Sequence, residues 1–344
     1  MKRISTLLAK SILGISVVSI ASGTSLSAKT LKVQTSFSAS HVSLAYLNKH
    51  WVPKLKDMTE GRLDIELLPI KAVVPHRETP EAVAIGVLDG QLTAPSYFAG
   101  KDPGFALMGD LIAGYDNPSQ IHEFCMNGPG KKLLQKLYDK HNPGLKVIGC
   151  SSEKREAFVS KYPIRTVADL KGKKIRSPEG LASDVFKRAG ASPVSLPGSE
   201  VYTALEKNVI DAADSSAYVN NDASGMHKVA RYPIYPGIHS MPFMELTLNE
   251  RVYNKMSSED QKTLTTWFAN SYNALRIVLD AKDKELVARD KAEGKITVID
   301  WSQVERDKFR KIAIESWKAY SKGSALAREV FGAHVTYMRK KGLL

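Results

Sequence analysis

One arginine in this chain stands in a setting suited to holding an anion. Lys174-Ile175-Arg176 reads as a short strand that ends beside Ser177, Pro178 and Glu179. Gly180 then opens a helix over 181–189, so its first amides and the guanidinium would face one spot. An arginine fork matches carboxylate, sulfonate or phosphate with two parallel hydrogen bonds. Such a charge-assisted contact contributes about 1.5–3 kcal/mol. The same side chain could instead form a surface salt bridge to Glu179 or Asp184.

Catalytic constellations are missing from the sequence. It has no GxSxG elbow, no HExxH and no phosphate-binding glycine loop, and Gly128-Pro129-Gly130 is a turn. The eight histidines are scattered, and His76, His122, His227 and His239 have no cysteine or carboxylate at metal-ligand spacing. The expectation is a protein that is not an enzyme, with no cofactor and no metal. Two cysteines, Cys125 and Cys150, could pair in an oxidising compartment or sit apart as small core residues.

The elements that must position Arg176 alternate between strand and helix. Strands over 31–35, 63–67 and 91–94 flank two helical stretches, giving β-α-β-α-β across about 70 residues. A second β-α-β-α-β unit contains 174–176, 192–195 and 212–213, with a further strand at 157–160. This pattern predicts an α/β fold of two lobes with mixed, mostly parallel sheets and crossing strands. Residues 29–150 and 243–256 form the first lobe and 151–242 the second. A long hinge-spanning helix and two further helices over 257–344 pack across both. One helix is expected from Pro118 to Asn127, and a late strand over Ile296–Ile299. Ligands in such folds bind in a cleft at the carboxyl ends of strands.

The first 28 residues read as a cleaved export signal: Lys2, Arg3 and Lys10, an apolar run from Ile12 to Ala21, then Leu26-Ser27-Ala28. Removing them takes away three positive charges and no negative ones, so +13 becomes +10. The mature chain is thus expected to be periplasmic and basic. Its positive charge is spread over helices that also carry Asp and Glu, which argues against nucleic acid.

The region around Arg176 resembles the solute receptors of tripartite ATP-independent periplasmic (TRAP) transporters. The matching pieces include Pro163-Ile164, Asp169-Leu170-Lys171-Gly172, Lys174-Ile175-Arg176, Gly190-Ala191, Leu196-Pro197 and Glu200-Val201-Tyr202. Asp102-Pro103 and Tyr235-Pro236-Gly237 with His239 extend the likeness along the chain. The resemblance implies that Arg176 pairs with a ligand carboxylate and that Arg155 adds a second charge contact. It implies delivery of a small organic acid to small and large TRAP membrane subunits, with the receptor a monomer or dimer.

The look is nearest to the branch that binds 2-oxo or 2-hydroxy acids with a cation. Here Ser215 stands where that branch has Trp, Ser240 where it has Glu, and Ser152-Glu153 where it has a glutamine. These departures argue against a bound cation and for a larger pocket completed by Ser215, Asn220, Ser240 and Glu153. Tyr97, Phe98 and Phe37 are loop aromatics that either wall the cleft or pack at the lobe base. The ligand is expected to be a carboxylate, with a hydroxy or oxo acid, a dicarboxylate and a sulfonate as variants. A secreted α/β enzyme acting on an organic acid is the alternative of a different class.

Overall fold

The computed structural model describes residues 29–178, 180–196, 198–238 and 240–344, so the export signal read at 1–28 lies outside the described residues. The first lobe runs β1 (Lys29–Thr35), α1 (Val42–His50), α2 (Val52–Met58), β2 (Leu63–Leu68), α3 (Thr79–Ile85), β3 (Gly90–Thr93), α4 (Pro103–Gly109), α5 (Pro118–His122), α6 (Gly130–His141) and β4 (Leu145–Ser151). The second runs β5 (Val159–Ser160), β6 (Lys174–Arg176), α7 (Leu181–Arg188), β7 (Ser192–Val194), α8 (Val201–Glu206), β8 (Ala212–Ala213), α9 (Tyr218–Ala223) and α10 (Met226–Val229). The chain then returns through β9 (Met244–Asn249) and α11 (Glu250–Asn254) to α12 (Ser258–Glu293), α13 (Gln303–Ser321) and α14 (Ala325–Lys340).

Two sheets result, and the mixed α/β architecture expected from the alternation holds. The first has the order β2-β1-β3-β9-β4 and the second β5-β8-β6-β7. β1 pairs parallel with β2 and β3, whereas β9 enters antiparallel between β3 and β4. All six residues of β9 are buried, as suits a strand covered on both faces. In the second sheet β6 lies parallel to both β7 and β8.

Helix α12 ties the lobes together. At 36 residues it is about 54 Å long. Ser257 caps its start by accepting from the Asp260 amide, and left-handed Gly294 ends it. Its first half packs Leu264, Trp267, Phe268 and Leu275 into the first lobe's core. Farther on, Val287 packs with Ala157 and Tyr218, and the Asp283 carboxylate accepts the Val219 amide at 2.8 Å. The indoles of Trp267, Trp301 and Trp317 are buried and donate to the carbonyls of Trp51, Ile164 and Ile112.

Three local details differ from the sequence reading. The helix begun at Pro118 stops at His122 and continues as a π-helical turn over Glu123–Asn127. The strand read at 157–160 is regular only over Val159–Ser160, with Phe158 bridged singly to Ile234. The expected strand over Ile296–Ile299 is reduced to a bridge between Ile234 and Ile299. Its partner segment carries Pro233 and Pro236, which have no N–H to donate to a ladder. Cys125 and Cys150 are joined in a disulfide, with Cα atoms 5.4 Å apart. It fastens the π-helical turn to β4, just before the chain crosses to the second lobe.

Candidate functional site

β6 places Arg176 where the second sheet meets the space between the lobes. Ile175 turns into the core, fully buried, so the next side chain emerges on the opposite face. The Arg176 backbone carbonyl accepts the Asp214 amide at 2.9 Å. Its guanidinium donates from Nε to the Leu196 carbonyl at 3.0 Å and from Nη1 to the Asp214 carbonyl at 2.9 Å. These two backbone acceptors fix the plane of the fork and neutralise none of its charge. Nη2 faces Gly198, lying 4.0 Å from where a β-carbon would stand. The salt bridge considered to Asp184 is not formed, because Asp184 pairs with Arg188 at 2.8 Å one turn along α7. Glu179 lies outside the described residues.

The first lobe answers with Tyr97, in the turn that follows β3. Its ring is 47% exposed and stands edge-on to His76 at 4.6 Å. Desolvation and then the Glu156 carboxylate push its phenol upward, while Lys154 and Arg176 act in the opposite sense. The tyrosine therefore lies within electrostatic reach of charged groups on the crossing segment and on β6.

The crossing segment Glu153-Lys154-Arg155-Glu156 supplies most of the other charge. Lys154 pairs with the buried Glu153 at 3.0 Å. Burial disfavours the ammonium, but Glu153 and Glu156 outweigh it and hold Lys154 above the usual lysine range. Glu156 is pushed well up by burial and then by Asp214, to which it is hydrogen-bonded, with Lys154 opposing and Asp110 adding repulsion. The Glu156 amide donates to the Ser240 carbonyl at 3.0 Å, and the Ser240 hydroxyl donates to Asp110. His41 at the start of α1 is drawn down to about 4, chiefly by burial and then by Lys154.

The other residues singled out from sequence divide into cleft and support. Ser240 is buried at the acidic end just described. Ser215 donates to the Asn221 side chain at 2.8 Å, and Asn220 donates to the Ser216 hydroxyl at 2.9 Å, so both bonds tie the loop before α9 to its first turn. Phe37 is buried and stacks on His41 at 4.5 Å. Phe98 is a core residue: it is 3% exposed and packs edgewise on Phe105 and Tyr138.

Arg155, expected to add a second charge contact, follows Lys154 on the crossing segment. It lines a cavity of about 120 Å³ with Asp116, Met241, Gln303 and Arg306, whose walls include none of Arg176's contacts. Burial and then Arg306 draw its pKa down to about 10. Sequence reasoning missed Lys154, Glu156, Asp110, Asp214 and His41. The signal available was a run of four charged residues between two apolar strands, at the point where the chain changes lobes.

Among the described residues, the group of imidazole and carboxylate atoms close enough to hold an ion is Asp222, His227 and Asp290. It belongs to α9, α10 and α12 and is not part of the cleft.

Comparison with known proteins gives a consistent result. The profile of the bacterial extracellular solute-binding protein family 7 matches residues 33–323. A TRAP periplasmic solute-binding protein from Rhodobacter sphaeroides, solved in an apo open form, superposes with a TM-score of 0.82 at 42% identity, covering 92% of this chain and 99% of that one. A monocarboxylate 2-oxoacid-binding periplasmic protein of Nostoc is 27% identical over 81% of this chain and 76% of its own length. A TRAP solute-binding protein from Rhodoferax ferrireducens with bound malonate shares the fold, with a TM-score of 0.76 at 20% identity, covering 90% and 99% of the two chains.

Proposed function

The chain belongs to bacterial extracellular solute-binding protein family 7, and from that premise we propose that it captures a small organic anion between its lobes, with Arg176 as the anchor. The observation that carries this reading is the tethering of Arg176 by two backbone carbonyls, which orients the fork and leaves its charge for a ligand. A carboxylate bound there would meet Tyr97 from the first lobe only when the lobes approach. Contacts made only in the closed form are what stabilise closure.

The acid end of the ligand sits on Arg176, and the remainder faces the crossing segment. Ser215, Asn220 and Ser240 complete polar recognition, and Lys154 and Glu153 belong to the same wall. Carboxyl groups at buried Asp214 and half-buried Glu156 and Asp110 disfavour a second negative charge close by, so a monocarboxylate bearing hydroxyl or oxo groups suits the cleft better than a dianion. The monocarboxylate named for the Nostoc relative agrees in class. In this reading the receptor is exported to the periplasm after loss of residues 1–28 and hands its ligand to TRAP membrane subunits.

The test is a thermal-shift screen of mono- and dicarboxylates, hydroxy and oxo acids and sulfonates, followed by calorimetry. At least one organic anion should raise the melting temperature, and Arg176→Ala should abolish that rise. A ligand that stabilises wild type and the variant equally overturns the site.

A further inference from the structure

We propose that Asp222, His227 and Asp290 form a divalent metal site, suited to Zn²⁺, that clamps the second lobe to the hinge helix. The three residues come from α9, α10 and α12, and one ligand atom from each lies within 4.8 Å of the others. His227 is only 3% exposed, yet neither ring nitrogen has a hydrogen-bond partner. A neutral imidazole carries one donor and one acceptor, and leaving both unmade in the interior is costly. Its Nδ1 points between two carboxylates, 3.8 Å from Asp222 Oδ1 and 3.8 Å from Asp290 Oδ2. Those separations are too long for hydrogen bonds. They approach the spacing of atoms that share one zinc at about 2.0–2.2 Å.

A cation already visits this place. Arg289 Nη2 lies 2.6 Å from Asp222 Oδ1 and 2.7 Å from Asp290 Oδ1, bridging the two carboxylates from the solvent side. Its side chain is 41% exposed and can swing outward. Asp290 is also oriented by the Tyr218 hydroxyl at 2.5 Å, an outer-shell contact of the kind that fixes a ligand carboxylate. One imidazole and two carboxylates make a borderline-soft donor set, which favours Zn²⁺ over Mg²⁺ or Ca²⁺. A bound ion would join α9 and α10 to the far half of α12, whose first half belongs to the first lobe's core. The clamp would thus restrain the second lobe without touching the ligand.

The test is calorimetric titration of the metal-free mature chain with Zn²⁺ alone, with melting followed in parallel. One ion should bind per chain and raise the melting temperature. His227→Gln should fold, since it removes no hydrogen bond, and should weaken Zn²⁺ at least about tenfold. Asp222→Asn, at a more exposed ligand, should do the same. Arg289→Gln should tighten Zn²⁺ by about tenfold, because it removes a competing charge-assisted contact. A purely structural ion-pair network predicts the reverse: no saturable Zn²⁺ binding, and only lost stability in Arg289→Gln. Absence of one-to-one binding, or Zn²⁺ affinity unchanged in His227→Gln, overturns the site.

Discussion

Arg176 and Arg155 illustrate how differently two similar side chains are placed. Arg176 spends two of its N–H groups on carbonyls, so its orientation is fixed before any ligand arrives. A lysine there keeps the charge and loses the fork. Arg176→Lys gives up the two hydrogen bonds to the Leu196 and Asp214 carbonyls, so it should lower the melting temperature of the free protein and weaken ligand at least about tenfold, one lost charge-assisted hydrogen bond. Calorimetry with the ligand found in the screen measures it. Arg155 lines its own cavity beside Arg306, and Arg155→Ala should weaken the same ligand far less. Glu245 is a second informative residue. It is fully buried in β9, and burial raises its pKa to about 8, although Tyr138 and Gln91 donate to it. The folded chain thus holds a proton that the unfolded chain releases near 4.3. The stability this confers is fully present below about 4.3 and is lost as pH rises through about 8, by at most about 1.4 kcal/mol per unit. Glu245→Gln should flatten the fall in denaturation midpoint between pH 5 and 8.

At the scale of elements, periodicity carried most of the information. The alternating apolar residues of 31–35 and 63–67, and the helix signals between them, correspond to β1, α1, α2 and β2 because each element buries one face. Arg176 at the end of β6 was legible for the same reason: Ile175 must turn inward. Composition alone could not show that Phe98 packs inward while the adjacent Tyr97 is exposed, since the two stand in one turn of 3₁₀ helix. Within the charged crossing segment Glu153 and Arg155 were legible, but Lys154 and Glu156 were not, because their partners Asp110, Asp214 and His41 lie far away in sequence. The disulfide is also an element-scale feature, closing a loop of 25 residues. A bridge of that span contributes about 3.5 kcal/mol through the unfolded chain. Reduction, or Cys125→Ala with Cys150→Ala, should lower the melting temperature by several degrees without altering ligand selectivity. Differential scanning calorimetry with and without reductant checks this.

For the whole molecule a close backbone contact stands where the chain recrosses between lobes. A β-carbon on Gly237 would lie 1.5 Å from the Glu156 carbonyl oxygen, so the two crossing segments touch backbone to backbone. Gly237→Ala must separate them. It should cost about 1–3 kcal/mol, typical of overpacking. It should also enlarge the radius of gyration of the ligand-bound form in small-angle scattering; an unchanged bound form would show that closure does not pivot at this contact.

The buried indoles of α12, α13 and the segment before α13 have a practical corollary for optical work. Trp267, Trp301 and Trp317 are at most 2% exposed, and each N–H is held by a backbone carbonyl. Trp51 is 8% exposed and packs in the same core as Trp267. Their emission is therefore set by surroundings that a solute between the lobes does not enter. Titration read by native fluorescence should be nearly silent even at saturation, whereas an extrinsic dye at the position of Tyr97 would sit where capture changes its solvation.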